Sequence, residues 1–104
     1  LAYRWQRLLL LPQAFGRLAS LRTLYLNDNR LAELPESFGD LRALQTVRLS
    51  ANVLRSLPAS FGGLEALETL QLHANELKAL PASFCRLRSL RVLGLRGNHL
   101  EKLP

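Results

Sequence analysis

The sequence predicts an α/β solenoid, in which like units stack with their strands side by side on one face and short helical returns on the other. Residues recur every 23 positions along the chain. Each full unit holds an alternating apolar stretch of the kind a half-buried strand needs. Each also carries a Leu-Pro step followed by Ser-Phe, which closes one apolar segment and opens the next.

The period is carried by four residue types in one phase. Leu21, Leu44, Leu67 and Leu90 are spaced by 23, and so are Asn29, Asn52, Asn75 and Asn98. Pro12, Pro35, Pro58, Pro81 and Pro104 follow the same spacing, as do Phe15, Phe38, Phe61 and Phe84. Agreement among independent columns is the mark of a repeat architecture rather than of composition. The unit reads LxxLxLxxNxLxxLPxSFxxLxx. It divides the chain into a partial unit over 1–20, full units over 21–43, 44–66 and 67–89, and a partial unit over 90–104, all within one domain spanning 1–104. The first unit is degenerate but in register. Leu1, Tyr3, Leu8 and Leu11 fall on apolar positions, Gln6 stands where the asparagine belongs, and Trp5 takes an outward position.

Within the unit, the LxL stretch (Leu24-Tyr25-Leu26 in the first full unit) is the strand. Stacked units pair these strands in parallel, roughly 4.8 Å apart. The asparagine follows where the chain turns inward. Its side chain both donates and accepts, so a column of Asn29, Asn52, Asn75 and Asn98 can form a ladder that satisfies buried backbone groups of its own unit and its neighbour. Proline next forbids further helix or strand pairing. The Ser-Phe segment returns along the outside as a short helical turn, with Phe and the following Leu facing in as a core spine.

This unit resembles the leucine-rich repeat family, in the 23-residue class with Leu-Pro at its centre. That class occurs in intracellular Ras-pathway and cell-polarity scaffolds, Roco proteins, plant intracellular Ras-group proteins and many bacterial proteins. The resemblance covers the whole chain and is weakest in the first unit. It implies a right-handed, horseshoe-like solenoid, with a curved parallel sheet on the concave face and short helical turns or loops on the convex face. It also implies a role in binding protein.

Composition sets bounds on function. Of 104 residues, 48% are hydrophobic and 21% charged, which suits a folded domain with a core. The longest apolar run, Leu8 to Leu11, is far short of the ~20 residues of a membrane-spanning helix, so no membrane insertion is expected. The first residues have neither a basic start nor a long apolar run, so they do not read as a secretory signal. Cys85 is the single cysteine and cannot form an internal disulfide, which favours an intracellular, cytoplasmic setting over a secreted one. The net charge of +6 favours acidic partners.

Recognition is expected at positions the fold leaves free on the strand face. The outward columns there include Tyr25, Arg48 and Gln71, and then Arg4, Asn27, Ser50, His73 and Arg96. Trp5 and Asp28 follow, and Arg30 and Glu76 lie just past the asparagines. Trp5, Tyr25, Arg4, Arg30 and Arg48 make an aromatic and basic patch of the kind that anchors interfaces. The third full unit is more polar and acidic, with Glu68, Gln71, His73 and Glu76. Thr23, Thr46 and Thr69 form a column read as strand propensity. On the outer face, Arg17, Arg42, Arg86 and Arg88 mix with Glu36, Asp40 and Glu65 as an ordinary solvated surface.

Catalytic chemistry is not expected. Asp28, Ser50 and His73 lie in that order across the sheet, whereas a triad needs the histidine between the other two. Ser50 and His73 could still hydrogen-bond as cross-strand neighbours. Cys85 replaces the glycine of Gly16, Gly39 and Gly62 and reads as a small packed thiol. His73 and His99 have no metal-ligand spacing, and Gly62-Gly63 lacks the rest of a phosphate-binding loop, so no metal or cofactor is expected.

The expected function is therefore a non-enzymatic interaction module or scaffold that binds a protein or peptide through the concave sheet face. Two alternatives stand beside it: a structural subunit of a large assembly, in which nucleic acid could be a neighbour, and the recognition arm of a larger enzyme. Because solenoid ends expose core and strand edges, further repeats, caps or another chain are expected to cover them, and the chain reads as a piece of a longer protein.

Overall fold

In a computed structural model of the chain, residues 17–101 are described. Four strands form one open parallel sheet in chain order: β1 (Thr23–Tyr25), β2 (Thr46–Arg48), β3 (Thr69–Gln71) and β4 (Val92–Gly94). Thr23 pairs with Thr46, Thr46 with Thr69, and Thr69 with Val92, so neighbours in the sheet are 23 residues apart. The backbone ladder runs past the strands proper. Asp28 N–H donates to the Ser50 carbonyl, Ala51 N–H to that of His73, and Ala74 N–H to that of Arg96.

On the opposite side, 3-10 turns cover Glu36–Asp40, Ala59–Gly63 and Ala82–Arg86. Each starts after an extended proline, Pro35, Pro58 or Pro81, whose carbonyl accepts the N–H of the following phenylalanine at 2.9–3.0 Å. Proline suits this place because its fixed φ matches the extended entry and no partner is needed for a missing N–H.

Between sheet and turns lies a core of leucine columns and the phenylalanine spine. Phe38 and Phe61 are fully buried and Phe84 is 9% exposed. Their rings stack in parallel, with centroids 6.0 Å and then 6.1 Å apart.

The units are joined on the sheet side by the asparagines. Asn52 Nδ2 donates to the carbonyl of Leu49 in its own unit at 2.9 Å and to that of Leu26 in the preceding unit at 3.0 Å, while its Oδ1 accepts the Leu31 N–H at 3.0 Å. Asn75 repeats the pattern on Leu72, Leu49 and Leu54, and Asn98 on Leu95, Leu72 and Leu77. One side chain thus satisfies buried backbone groups of two units.

On the outer side the joint is made by serine and glycine. Ser60 Oγ donates to the Glu36 carbonyl, and Ser83 Oγ donates to the Ala59 carbonyl at 2.7 Å and accepts the Gly62 N–H at 3.0 Å. Gly39 and Gly62 lie directly under the next turn. A Cβ on either would collide with the carbonyl of Ser60 or Ser83. Cys85 holds the equivalent position in the last turn described. There the expectation of a packed thiol fails: Cys85 is exposed, and its Sγ–H donates to the Ala82 carbonyl oxygen at 3.2 Å. Among the described residues no further turn lies over it, so nothing packs against the sulfur.

Candidate binding face of the sheet

Alternation along each strand sends Leu24, Leu26 and their equivalents into the core and leaves the residues between them on the outer surface of the sheet. Of the residues expected there, Arg4 and Trp5 lie outside the described residues. The structure brings Tyr25 and Arg48 together, since β1 and β2 place them side by side. The Arg48 guanidinium carbon sits 4.7 Å from the centre of the Tyr25 ring, a cation–π contact worth about 0.5–1 kcal/mol at an exposed site. Gln71 pairs next to Arg48 and is half-buried.

Two residues further along, Asn27, Ser50, His73 and Arg96 form a row that crosses all four strands. Asn27 donates through Nδ2 to Asp28 Oδ2 at 2.8 Å. Its Oδ1, and the neighbouring Ser50 Oγ, are shielded from water with no hydrogen-bond partner. Among the described residues these two are the buried side-chain polar atoms left unpaired. Each such atom costs about 1–3 kcal/mol. The hydrogen bond expected as possible between Ser50 and His73 is not formed. The His73 ring turns the other way, into the space that a side chain at Gly94 would fill. Arg96 ends the row and is exposed.

Asp28 adopts a left-handed backbone conformation with φ of 63° at the end of this ladder. Arg30 and Glu76 follow the ladder asparagines and lie on the flank, past the turn that ends the sheet. Glu76 there meets Arg55 at 3.7 Å, with the two side chains 46% and 81% exposed, so the ion pair adds little. A wider hollow in the surface lies elsewhere, between the second and third outer turns. It is lined by Gly62, Gly63, Glu65, Arg86, Arg88 and Ser89, and is open and mixed in charge. Among the described residues, no cluster of His, Cys, Asp and Glu is placed to hold a metal ion, and no helix is long and apolar enough to cross a membrane.

Stacked strands, a buried asparagine ladder and an exposed sheet face define a class of repeat domain. Residues 10–54 and 42–100 match the leucine rich repeat family, and the chain belongs to it. The fold is similar to that of a solved leucine-rich repeat protein of Leptospira interrogans, with a TM-score of 0.83 and 31% sequence identity. That likeness covers 94% of this chain but only 31% of the Leptospira chain, so this chain spans under a third of that protein's length. No curated protein matches it. Matches to 101 solved chains show that the architecture is common, so the fold by itself singles out no partner. Leucine-rich repeat domains are in general protein-interaction modules, and their extended surfaces are what they use.

Proposed function

We propose that this domain is a non-enzymatic interaction module that binds a partner protein through the exposed face of its sheet. The observation that carries this reading is the row from Asn27 to Arg96, where two neighbouring residues, Asn27 and Ser50, each hold a shielded, unpaired polar atom. A folded domain satisfies its buried polar groups almost everywhere, so an unsatisfied pair marks a place not settled within the domain itself. The Tyr25–Arg48 pair beside it supports the reading, because tyrosine and arginine are enriched among residues that carry binding energy. The row lies just past the strand ends, where the continuing backbone ladder holds it, which preserves its geometry for recognition.

The test is site-specific photo-crosslinking in extract from the source cells. A benzophenone side chain at Gln71 is expected to capture a defined protein. The same group at Arg42 on the outer face is not. The Tyr25→Ala/Arg48→Glu double variant, if still folded, is expected to lose that crosslink. Full retention of the crosslink, or capture from Arg42 alone, would remove the sheet face from the proposal.

A further inference from the structure

The sheet face differs from the rest of the surface in carrying charge of one sign only. Among the described residues, its columns through Tyr25 and Asn27 carry Arg48, His73 and Arg96 and no carboxylate, with the Asp28 carboxylate at their border held to Asn27 Nδ2. The nearest acids, Asp28, Glu68 and Glu76, sit at the borders of the sheet. On the outer side, by contrast, Asp40, Glu36 and Glu65 are interspersed with Arg42, Arg86 and Arg88. Among the described residues, neither Arg48 nor Arg96 forms an ion pair; Arg48 rests on the Tyr25 ring and Arg96 projects from the end of its row. Two exposed guanidinium groups are therefore free to take carboxylates, each offering a planar fork of donors that fits a carboxylate with two parallel hydrogen bonds.

The register gives their separation. Arg48 is on β2, and Arg96 follows β4, two strands across and two residues further along. At ~4.8 Å per strand and ~3.4 Å per residue, their backbone positions are roughly 12 Å apart. Side chains four residues apart in an extended chain are separated by about 13 Å and point the same way. Between the two arginines lies His73, whose ring covers Gly94.

Resting on the sheet-face reading above, we infer that the occupant is an acidic, extended segment of a partner protein, with two carboxylates about four residues apart, one on Arg48 and one on Arg96. A protein segment fits this face better than nucleic acid does. Sequence-tolerant single-strand binding relies on open aromatic platforms. Among the described residues, the aromatic ring on these columns, Tyr25, is already covered by Arg48.

The experiment is NMR titration of the isotopically labelled full chain with three unstructured Gly/Ser peptides, at low salt where exposed charges act most strongly. One carries two glutamates four positions apart, one carries two lysines at the same spacing, and one carries neither. The glutamate peptide is expected to shift the backbone resonances of Arg48, His73 and Arg96. Its affinity should fall about tenfold, or 1.4 kcal/mol, in Arg48→Glu/Arg96→Glu and fall less in Arg48→Gln/Arg96→Gln. Arg88→Glu on the outer face should leave it unchanged. No shifts from the glutamate peptide, equal binding of the lysine peptide, or equal weakening by Arg88→Glu would overturn the acidic segment. So would a single-stranded RNA that shifts the same residues at lower concentration than the peptide. If the uncharged peptide binds the face and is released by Tyr25→Ala, the acidic chemistry fails and the sheet-face reading stands. If all shifts map to the outer turns, both fail.

Discussion

The two sides of the stack are joined by opposite means. On the sheet side, each joint is a side chain: Asn52 reaches from its own unit to the Leu26 carbonyl and the Leu31 N–H of the one before. On the outer side, each joint depends on a side chain being absent, because Gly39 and Gly62 let the Ser60 and Ser83 backbones come into contact with them. The first kind of joint fails when atoms are removed, since buried backbone groups lose their partners. The second fails when atoms are added, since the neighbour there is backbone and cannot swing away. A repeat can therefore vary freely at its surface while each side forbids a different kind of change.

The largest effect is expected where the outer side meets the core. Phe61 is fully buried between the rings of Phe38 and Phe84. Phe61→Ala should cost about 3–5 kcal/mol, combining lost burial with a cavity that the flanking rings cannot fill. Urea unfolding followed by circular dichroism measures this, and a loss below about 1 kcal/mol would mean that the spine closes over the gap.

Asn52→Ala comes next, at about 1–3 kcal/mol, because it strands the buried Leu31 N–H and leaves the Leu26 and Leu49 carbonyls each with one side-chain donor, Asn29 Nδ2 and Asn75 Nδ2, in place of two. Asn52→Asp sharpens the test. It keeps an acceptor for Leu31 but loses both donated hydrogen bonds, so it should also destabilise the stack. Hydrogen exchange at the Leu31 and Leu54 amides separates a lost joint from general loosening. Leu54 donates to Asn75 and should stay protected longer than Leu31 in the Asn52→Ala protein.

On the outer side, Gly62→Ala should cost about 2 kcal/mol, although alanine is otherwise the better helix former. The added methyl meets the Ser83 carbonyl and Cβ. A neutral or stabilising result in the same unfolding assay would show that the second and third turns can separate without loss. The sheet-side and outer-side joints would then no longer be of comparable importance.

The sheet-side joint could be read from the sequence because its agent is a recurring residue with one evident chemical use. The phenylalanine spine was legible for the same reason. Ser37, Ser60 and Ser83 recur just as strictly, but the role of Ser60 and Ser83 depends on which carbonyl of the preceding turn lies within reach, and that is fixed by the 3-10 geometry. The glycines of this column were visible only as small residues, which is why Cys85 reads as packed from sequence and stands exposed in the structure. At the binding face, the placement of Tyr25 beside Arg48 follows from the period and the strand alternation. The unpaired Asn27 and Ser50 atoms do not follow from either, because they depend on the rotamers of their neighbours and on His73 turning toward Gly94.

The smallest expected effect is a gain, and it lies at the end of the sheet ladder. Asp28, Ala51, Ala74 and Gly97 occupy equivalent positions and share the left-handed backbone region, with φ of 63°, 57°, 57° and 76°. Glycine adopts this region without cost and aspartate tolerates it, whereas an alanine there gives up about 1–2 kcal/mol. Ala51→Gly removes that strain but adds freedom to the unfolded chain, worth about 0.5–1 kcal/mol in the opposite direction. The net gain should be about 0.5–1 kcal/mol, seen as a rise of a few degrees in the unfolding midpoint. Gly97→Ala is the reciprocal change at a position where φ is equally left-handed, and it should lower the midpoint. Because neither substitution touches the asparagines, a gain from Ala51→Gly that survives in the Asn52→Ala background would show that turn strain and ladder bonding act independently on this side. A gain that vanishes there would show that the asparagine is what holds Ala51 in its strained conformation.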